Sequence, residues 1–487
     1  MTKREEEIAT LTAFARKDRL WKGDCHKRIA GTTEEWVLTS PLAPLNDYVD
    51  LSLTACFSGR CGVYAIPMFL KNIKTLRIRE EIKMDSGKLK MEWAMKHMPV
   101  LTAIENQFKK KKPLKGINIS IALHLEAKTA NLAYVLHEGG ANVAITGSNP
   151  LTTQDDVAMA LSKSRIQVYA KYGETEKEYW ENYNKVLDIK PHILVDDGGD
   201  LVNLLNTKRK ELIKNIIGVC EETTTGVIRD KALEKEGKLK FPVIAVNNGQ
   251  CKYLFDNRYG TGQSTWDGII RTTNMNIAGK NVVIAGYGWV GKGVSMRAKG
   301  LGARVFVTEI NPIKAIEAYM DGFEVLPMEE ACKIGEIFVT CTANTNVIDT
   351  RNFELLRDGA VLANAGHFNI EIKMAELEKV TIKKREVRKN ITEYTLKNRN
   401  KIYVLGEGRL VNLACADGHP IEIMDLSFAL QALSVEYLLK NKGRLENRVY
   451  DVPQEVDLQV AETMLDSYGI KIDKLTKKQI DYLTKSH

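Results

Sequence analysis

The stretch NVVIAGYGWVGKG, Asn281–Gly293, decides the fold. Asn281–Ala285 reads as a buried strand and Val290–Leu301 as a helix, with Gly286, Gly288 and Gly291 between them in the order G-x-G-x-x-G. The first glycine allows a tight turn, the second lets backbone approach a pyrophosphate, and the third lets helix and strand pack closely. The phosphates then rest on the helix N-terminus. Arg304–Thr308 is the next strand, and Glu309 follows it, 23 residues beyond Gly286, where an acid binds a ribose 2′-hydroxyl. A carboxylate there repels the 2′-phosphate of NADP, so the cofactor expected is NAD. A glycine turn alone is weak evidence; here strand, glycines, helix, second strand and acid fall in the order a dinucleotide site requires.

Upstream, the text becomes regular from about Lys83. Lys90–Met98 (KMEWAMKHM) has helical periodicity, with Trp93 and Met98 among its apolar positions. Strand Ile117–Leu123, helix Glu126–Glu138 and strand Asn142–Thr146 form a βαβ unit, and further strands are expected at His192–Val195, Ile217–Cys220 and Val243–Val246. Each of these last three runs into polar or glycine-rich text, DDGGD, EETTTG and NNGQCK, where an open α/β sheet gathers its ligands. Downstream, alternating segments continue to about Gly408 and a helix-rich stretch follows from Leu410 to about Lys442. The expected class is α/β: two Rossmann-like doubly wound domains, for substrate and for NAD, plus a helical C-terminal segment. The expected divisions are an N-terminal extension over 1–75, read as a poorly ordered arm or as sequence upstream of the natural start, a substrate domain over 76–257 completed by 413–445, an NAD domain over 258–412 and a tail over 446–487. No repeat of solenoid period is present.

With 44% hydrophobic and 27% charged residues over 487 positions, the chain has a globular rather than a disordered composition. Its net charge of +8 is spread along the length, apart from Lys109–Lys112, without a nucleic-acid recognition module. The eight cysteines form no CxxC pair, which argues against a zinc site or a disulfide framework and fits a reducing cytosol. The longest apolar run, Val63–Leu70, is too short to span a membrane, and the opening MTKREEE lacks a signal-peptide core. A cytoplasmic enzyme without membrane or nucleic-acid partners is expected, and no metal.

Several constellations carry chemistry. His124-x-Glu126-x-Lys128 follows one strand, Asp196-Asp197 and Asp200 a second, and Glu221-Glu222-Thr223-Thr224-Thr225 a third. Lys252 and Asp256, four apart, share a helical face and can pair. His367 and His419 lie in glycine-containing loops. Each alone is equally well read as a cap, turn or surface ion pair, and a lone histidine is more often structural than catalytic. Their shared placement past successive strand ends favours a site.

Together, EETTTGV, NNGQCKYLFDNRYGTGQS, IAGKNVVIAGYGWVGKG, NAGHFNIEI and EGRLVNLACADGHP closely resemble the S-adenosylhomocysteine hydrolases, in order, from about Lys83 onward. The resemblance implies a soluble, homotetrameric enzyme holding one tightly bound NAD per subunit, which oxidises the substrate's 3′-hydroxyl, acidifies the 4′ C–H and permits elimination of homocysteine before water adds and the ketone is reduced. By motif position it implies Asp197 as acid/base at the 4′ carbon. Lys252 and Asp256 then address the 2′- and 3′-hydroxyls and Glu222 the ribose, while His124 and His367 serve the leaving thiol and attacking water. Thr223, Thr224, Thr225, Asn257, Asn344 and Asn412 are implied at the cofactor, with His419, Met424 and Phe428 closing over the nucleoside.

Two departures matter. Longer members end in a lysine- and tyrosine-bearing tail that reaches a neighbour's NAD site, whereas this sequence stops at LTKKQIDYLTKSH, so that contact is expected to be absent or replaced. Adenosine-preferring members carry H-x-T-x-E at the base, and the glutamate accepts from adenine's 6-amino group; here Glu126 and Lys128 stand instead. A lysine only donates, which suits the 6-oxo group of hypoxanthine and leaves a 6-amino group facing another donor. Glu126 is then free to accept from hypoxanthine N1–H or to pair with Lys128. The expected substrate is S-inosylhomocysteine, as in H-x-E-x-K relatives of methanogen-like archaea, with S-adenosylhomocysteine as the alternative. Against a non-catalytic relative, every expected catalytic position holds a competent residue and the extension lacks a Ser-rich regulatory look; a free-NAD dehydrogenase leaves EETTTG and the Lys252/Asp256 pair unexplained.

Overall fold

The computed structural model describes residues 25–30, 33–38 and 81–485. Within the N-terminal extension the strands β1 (Cys25–Ala30) and β2 (Thr33–Leu38) pair antiparallel in a hairpin; the remainder of 1–75 lies outside the described residues.

From residue 83 onward the chain builds two sheets. The first contains β3 (Asn118–Ala122), β4 (Asn142–Thr146), β5 (Gln167–Tyr169), β6 (Ile193–Asp196), β7 (Gly218–Glu221) and β8 (Val243–Ala245). Except in the edge strand β5, which is half-buried, their central residues are buried on both faces, the pattern of a parallel sheet covered by helices on each side. The chain runs from β3 outward to β4 and β5, then returns to place β6 on the other side of β3. That reversal leaves a crevice between the carboxyl ends of β3 and β6, where Ala122 pairs with Asp196.

The second sheet repeats the logic with β9 (Asn281–Ala285), β10 (Arg304–Thr308), β11 (Glu324–Val325), β12 (Ile337–Thr340) and β13 (Val361–Asn364). Here the reversal falls between β9 and β12. Beyond β13 the chain departs from simple alternation. Strands β14 (Thr381–Arg388), β15 (Ile391–Leu396) and β16 (Lys401–Leu405) form an antiparallel meander whose last strand joins β13 in parallel. The edge strand β14, TIKKREVR, is almost wholly exposed and densely charged, which discourages another chain from pairing there.

The C-terminal segment is helical, as expected, and contributes a strand as well. Helix Ile421–Lys440 returns to the first sheet with 13 of its residues buried. It is followed by β17 (Val449–Asp451), parallel to β8 at the sheet edge. In helix Gln454–Ser467, Asp457 accepts from the backbone N–H groups of Gln250 (2.5 Å) and Cys251 (2.8 Å), fixing the segment that carries Lys252.

In the helix through 83–96, Ala94 and Met98 face the core while Trp93 is 60% exposed and lies against His97, so the expected inward place for Trp93 is corrected. Ala94 is buried within this helix and Met98 just beyond its end, while Trp93 lies on the exposed side. Helix Pro99–Lys111 has no cap from its own N-cap residue, Met98. The buried Asp425 supplies it from 325 residues away, accepting from Val100 N (2.9 Å) and Leu101 N (2.8 Å). Removing both acceptors strands two buried donors, so Asp425→Ala should lower stability by about 1–3 kcal/mol; denaturant titration against Asp425→Asn, which keeps one acceptor, measures it.

Candidate active site

Each functional side chain is placed by a strand end or by the helical run after β8. His124 and Asp197 leave the neighbouring strands β3 and β6 at the reversal point. Asp197 is 5% exposed; its Oδ2 accepts from Ser148 Oγ (2.9 Å) and lies 3.3 Å from His124 Nε2, while Oδ1 lies 3.5 Å from His367 Nδ1. His367 comes from the other half of the molecule, after β13. It approaches so closely that a Cβ on Gly198 would stand 2.5 Å from its Nε2, and Gly198 also has φ +107°. Only glycine fits there.

The acids expected together are divided between two tasks. Asp197 and Glu222 line the cavity. Asp196 and Glu221, last residues of β6 and β7, alternate to the other side and hold backbone instead. Asp196 accepts from the N–H groups of Asp197 (3.1 Å) and Val202 (3.0 Å), and Glu221 from those of Gly198 (2.9 Å) and Thr223 (3.0 Å).

The second centre lies on Tyr253–Gly260, a wide-turn π-helical run of the kind often found at functional sites. The Lys252 ammonium is 2.8 Å from Asn257 Oδ1, 3.1 Å from Asp256 Oδ1 and 3.6 Å from Glu222 Oε1. Burial works against its charge, but Asp256 and Glu222 outweigh it and raise the Lys252 pKa. Burial likewise opposes the Asp256 anion, yet Lys252 and then His419 hold that carboxyl well below its usual range. Glu222 is pushed up to about 8 by burial, with Lys252 only partly offsetting it. Its Oε2 accepts from Gln431 (2.5 Å), and its buried Oε1 makes no hydrogen bond within the chain, leaving an acceptor free toward the cavity. Ser427 donates to Asp256 Oδ2 (2.8 Å). Ser427 and Gln431 were missed in the sequence, although two polar residues four apart on the apolar helix Ile421–Lys440 were a legible signal. Ser148, the acceptor Asn247 and Thr261, which contacts His419 Nε2 at 3.1 Å, carried none.

At the base end, Glu126 caps helix Ala127–Glu138, accepting from the N–H groups of Lys128 (3.1 Å) and Thr129 (3.2 Å). The same carboxylate lies 2.7 Å from Lys128 Nζ, which also donates to the Asp417 carbonyl at 3.1 Å. Of the two arrangements open to Glu126, the structure has the pair with Lys128. Lys128 is 5% exposed and lines the cavity. Thr223, Thr224, Thr225, Asn257, Asn412, His419, Met424 and Phe428 line it too. Asn344 does not: it is exposed, and its side chain accepts from Thr345 N.

On the dinucleotide side, Gly286 has φ +101°, and a Cβ on Gly291 would fall 2.0 Å from the Gly286 carbonyl. Helix Trp289–Gly300 starts at Gly288 with no side-chain cap, so its first N–H groups are free for phosphate. Against the cost of its burial, the N–H groups of Asn311 (2.9 Å), Tyr287 (2.7 Å) and Ile310 (2.7 Å) lower the Glu309 pKa and keep it an anion. The buried Asn412 Oδ1 has no partner within the chain. These residues fit NAD.

Residues 75–212 match the family model described as S-adenosyl-L-homocysteine hydrolase, and residues 257–418 match that of its NAD binding domain. Among relatives, the S-inosyl-L-homocysteine hydrolase of Methanocaldococcus jannaschii is 62% identical over 397 residues, 82% of this chain and 95% of the relative. That of Methanococcus maripaludis is 59% identical over 399 residues, 82% and 96%. The adenosylhomocysteinase of Thermotoga maritima is 56% identical over 400 residues, 82% and 99%. The chain belongs to the S-adenosyl-L-homocysteine hydrolase family. This member is a hydrolase acting on the thioether bond of an S-nucleosyl homocysteine, and NAD is its cofactor.

Two predictions follow from the geometry of this hydrolase. Gly291→Ala should release NAD, because its methyl overlaps the Gly286 carbonyl; the A260/A280 ratio and NAD content of the purified variant read this out. Burial lowers the His124 pKa to about 4, with Asp197 opposing. An unfolded histidine titrates near ~6.5, so His124 stabilises the fold above that pH and loses its contribution as pH falls toward about 4. The stability difference between wild type and His124→Asn should therefore shrink across that window in pH-dependent denaturation.

Proposed function

We propose that the enzyme cleaves S-inosyl-L-homocysteine to inosine and L-homocysteine in preference to the adenosyl compound. The observation that carries this is the ammonium of Lys128. Two of its three N–H bonds go to Glu126 and the Asp417 carbonyl, and the third remains for the base. A 6-oxo group accepts that bond, while a 6-amino group presents a second donor and leaves both unpaired. Glu126, occupied by the helix cap and by Lys128, acts by holding the ammonium in place rather than by meeting N1–H. Identity does not decide the base, since relatives named for each substrate stand at 62% and 56%.

NAD, when bound, supplies reversible oxidation at the ribose 3′ carbon, which acidifies the 4′ C–H. Lys252, kept charged by Asp256 and Glu222, orients the 3′-hydroxyl, and the free Glu222 oxygen takes a ribose hydroxyl. Asp197 takes the 4′ proton in the elimination and delivers a proton to the same carbon when water adds. His124 and His367, on its two oxygens, serve the departing sulfur and the entering water. Thr223, Thr224, Thr225, Asn257 and Asn412, which line the cavity, hold the cofactor, Asn344 standing outside it, and His419, Met424 and Phe428 cover the nucleoside.

The same reading includes a homotetramer in the cytoplasm. Supporting it are the exposed apolar residues Ile310, Ile313, Tyr319 and Met320 beside the cofactor half, a surface that a subunit contact would cover. Cys220, Cys251, Cys332, Cys341 and Cys415 are free and buried, in keeping with a reducing compartment.

Homocysteine release from both thioethers tests the base. The kcat/KM for the inosyl substrate should exceed that for the adenosyl one by at least ~100-fold, and Lys128→Ala should erase most of that ratio. An adenosyl preference in wild type overturns the proposal.

A further inference from the structure

Thr152 is outside the cavity lining and is 4% exposed, yet its hydroxyl lies 2.9 Å from His124 Nδ1. The same oxygen is 3.0 Å from the Asn149 carbonyl, in geometry for donation. A hydroxyl has one hydrogen. Given to Asn149, it leaves the oxygen facing His124 as an acceptor, so Nδ1 carries the imidazole proton and Nε2 is bare. That bare nitrogen stands 3.3 Å from Asp197 Oδ2 and accepts from it once the carboxyl has taken a proton; against the resting carboxylate, which favours a proton on Nε2, the tautomer rests on the Thr152 contact.

The loop 147–154 is built to hold this arrangement. Ser148 N donates to Leu123 O (3.1 Å) and Gln154 N to Leu125 O (2.8 Å), so the backbone on either side of His124 is tied to both ends of the loop. Ser148 contributes its hydroxyl to Asp197 Oδ2 from the same segment. One loop therefore sets the position of the acid and the orientation of the histidine together.

We propose that Thr152 is a positioning residue that fixes the Nδ1–H tautomer of His124 and thereby makes Nε2 the proton carrier between Asp197 and the departing sulfur. This rests on the site reading given above. The proton count closes with Nε2 bare at rest. The 4′ proton passes from Asp197 to Nε2 and on to sulfur as the C5′–S bond breaks. Water then gives a proton to Nε2 as the C5′–O bond forms, and Nε2 returns it through Asp197 to C4′. The transient imidazolium donates from Nδ1 to the same Thr152 oxygen. With the opposite tautomer Nε2 would already hold a proton and could not accept one from Asp197. The lowered His124 pKa, due to burial, agrees with a neutral resting imidazole.

The test compares Thr152→Val, which keeps shape and removes the hydroxyl, with Thr152→Ser. Appearance of NADH absorbance on mixing with inosine should be unchanged in both. Homocysteine release should fall at least ~10-fold in Thr152→Val and recover to within about threefold in Thr152→Ser, the scale of general acid–base assistance. Nitrogen-15 NMR of the wild type should show His124 protonated at Nδ1, and this is the deciding measurement if the valine variant also loses its redox half-reaction. Full-rate release in Thr152→Val, or an Nε2–H tautomer in wild type, overturns the inference and leaves the proposed function standing. A wild type inactive on both thioethers would instead remove the proposed function.

Discussion

Carboxylates crowded at the ends of β6 and β7 have to be held without water, and the site is arranged around that constraint. Asp196, Glu221 and Asp230 are fully buried, with Asp197, Asp200 and Glu222 nearly so. Isolated anions in such a space are costly. Part of the answer is neutralisation: burial pushes Asp196 and Glu221 well above the usual carboxylate range and Asp230 up to about 7. Another part is local compensation. Arg229 pairs with Asp200 at 2.8 Å and also donates to the Gly198 carbonyl, and Lys252 serves Asp256 and Glu222. The backbone N–H groups of residues 197 and 202 serve Asp196, and those of 198 and 223 serve Glu221. Those bonds fix the loop on which Asp197 stands, so the solution to the charge problem also aims the acid.

Helix Ile421–Lys440 is the second element on which the site depends. It caps Pro99–Lys111 through Asp425, supports Asp256 through Ser427 and supports Glu222 through Gln431. Ser427 and Gln431 stand one turn apart on one side of this buried helix, and Asp425 points to another side, toward Pro99–Lys111. A single late segment of the chain thus braces an early helix and both carboxylates beside Lys252.

The regular parts of the molecule were legible because their cause is local. Strands β3, β4, β9 and β10 follow from apolar runs and their polar ends, and the dinucleotide turn follows from three glycines whose spacing has one geometric use. A one-residue difference was enough to hide the finer arrangement. Reading β6 as His192–Val195 instead of Ile193–Asp196 leaves Asp196 and Asp197 as one polar cluster, whereas the alternation of a strand sends them to opposite sides. The meander β14–β16 and strand β17 were not legible for another reason. Their pairing partners, β13 and β8, are set by tertiary contact, and β17 meets β8 across some 200 residues of sequence. Asp425 and Thr152 likewise act on groups distant in the chain or outside any motif.

The contacts of Lys128 join the two ends of the cavity. Lys128 is anchored on one side by Glu126, at the start of a helix in the first sheet's layer, and on the other by the carbonyl of Asp417. Asp417 lies two residues before His419, whose ring touches both Asp256 and Thr261. An ammonium can satisfy Glu126, Asp417 and an acceptor on the base at once, because its three donors diverge. On the proposed reading, a base presenting a donor at that position would meet the Lys128 donor and be opposed where it sits. In that reading, discrimination by one side chain would be coupled through Asp417 and His419 to the geometry around Asp256.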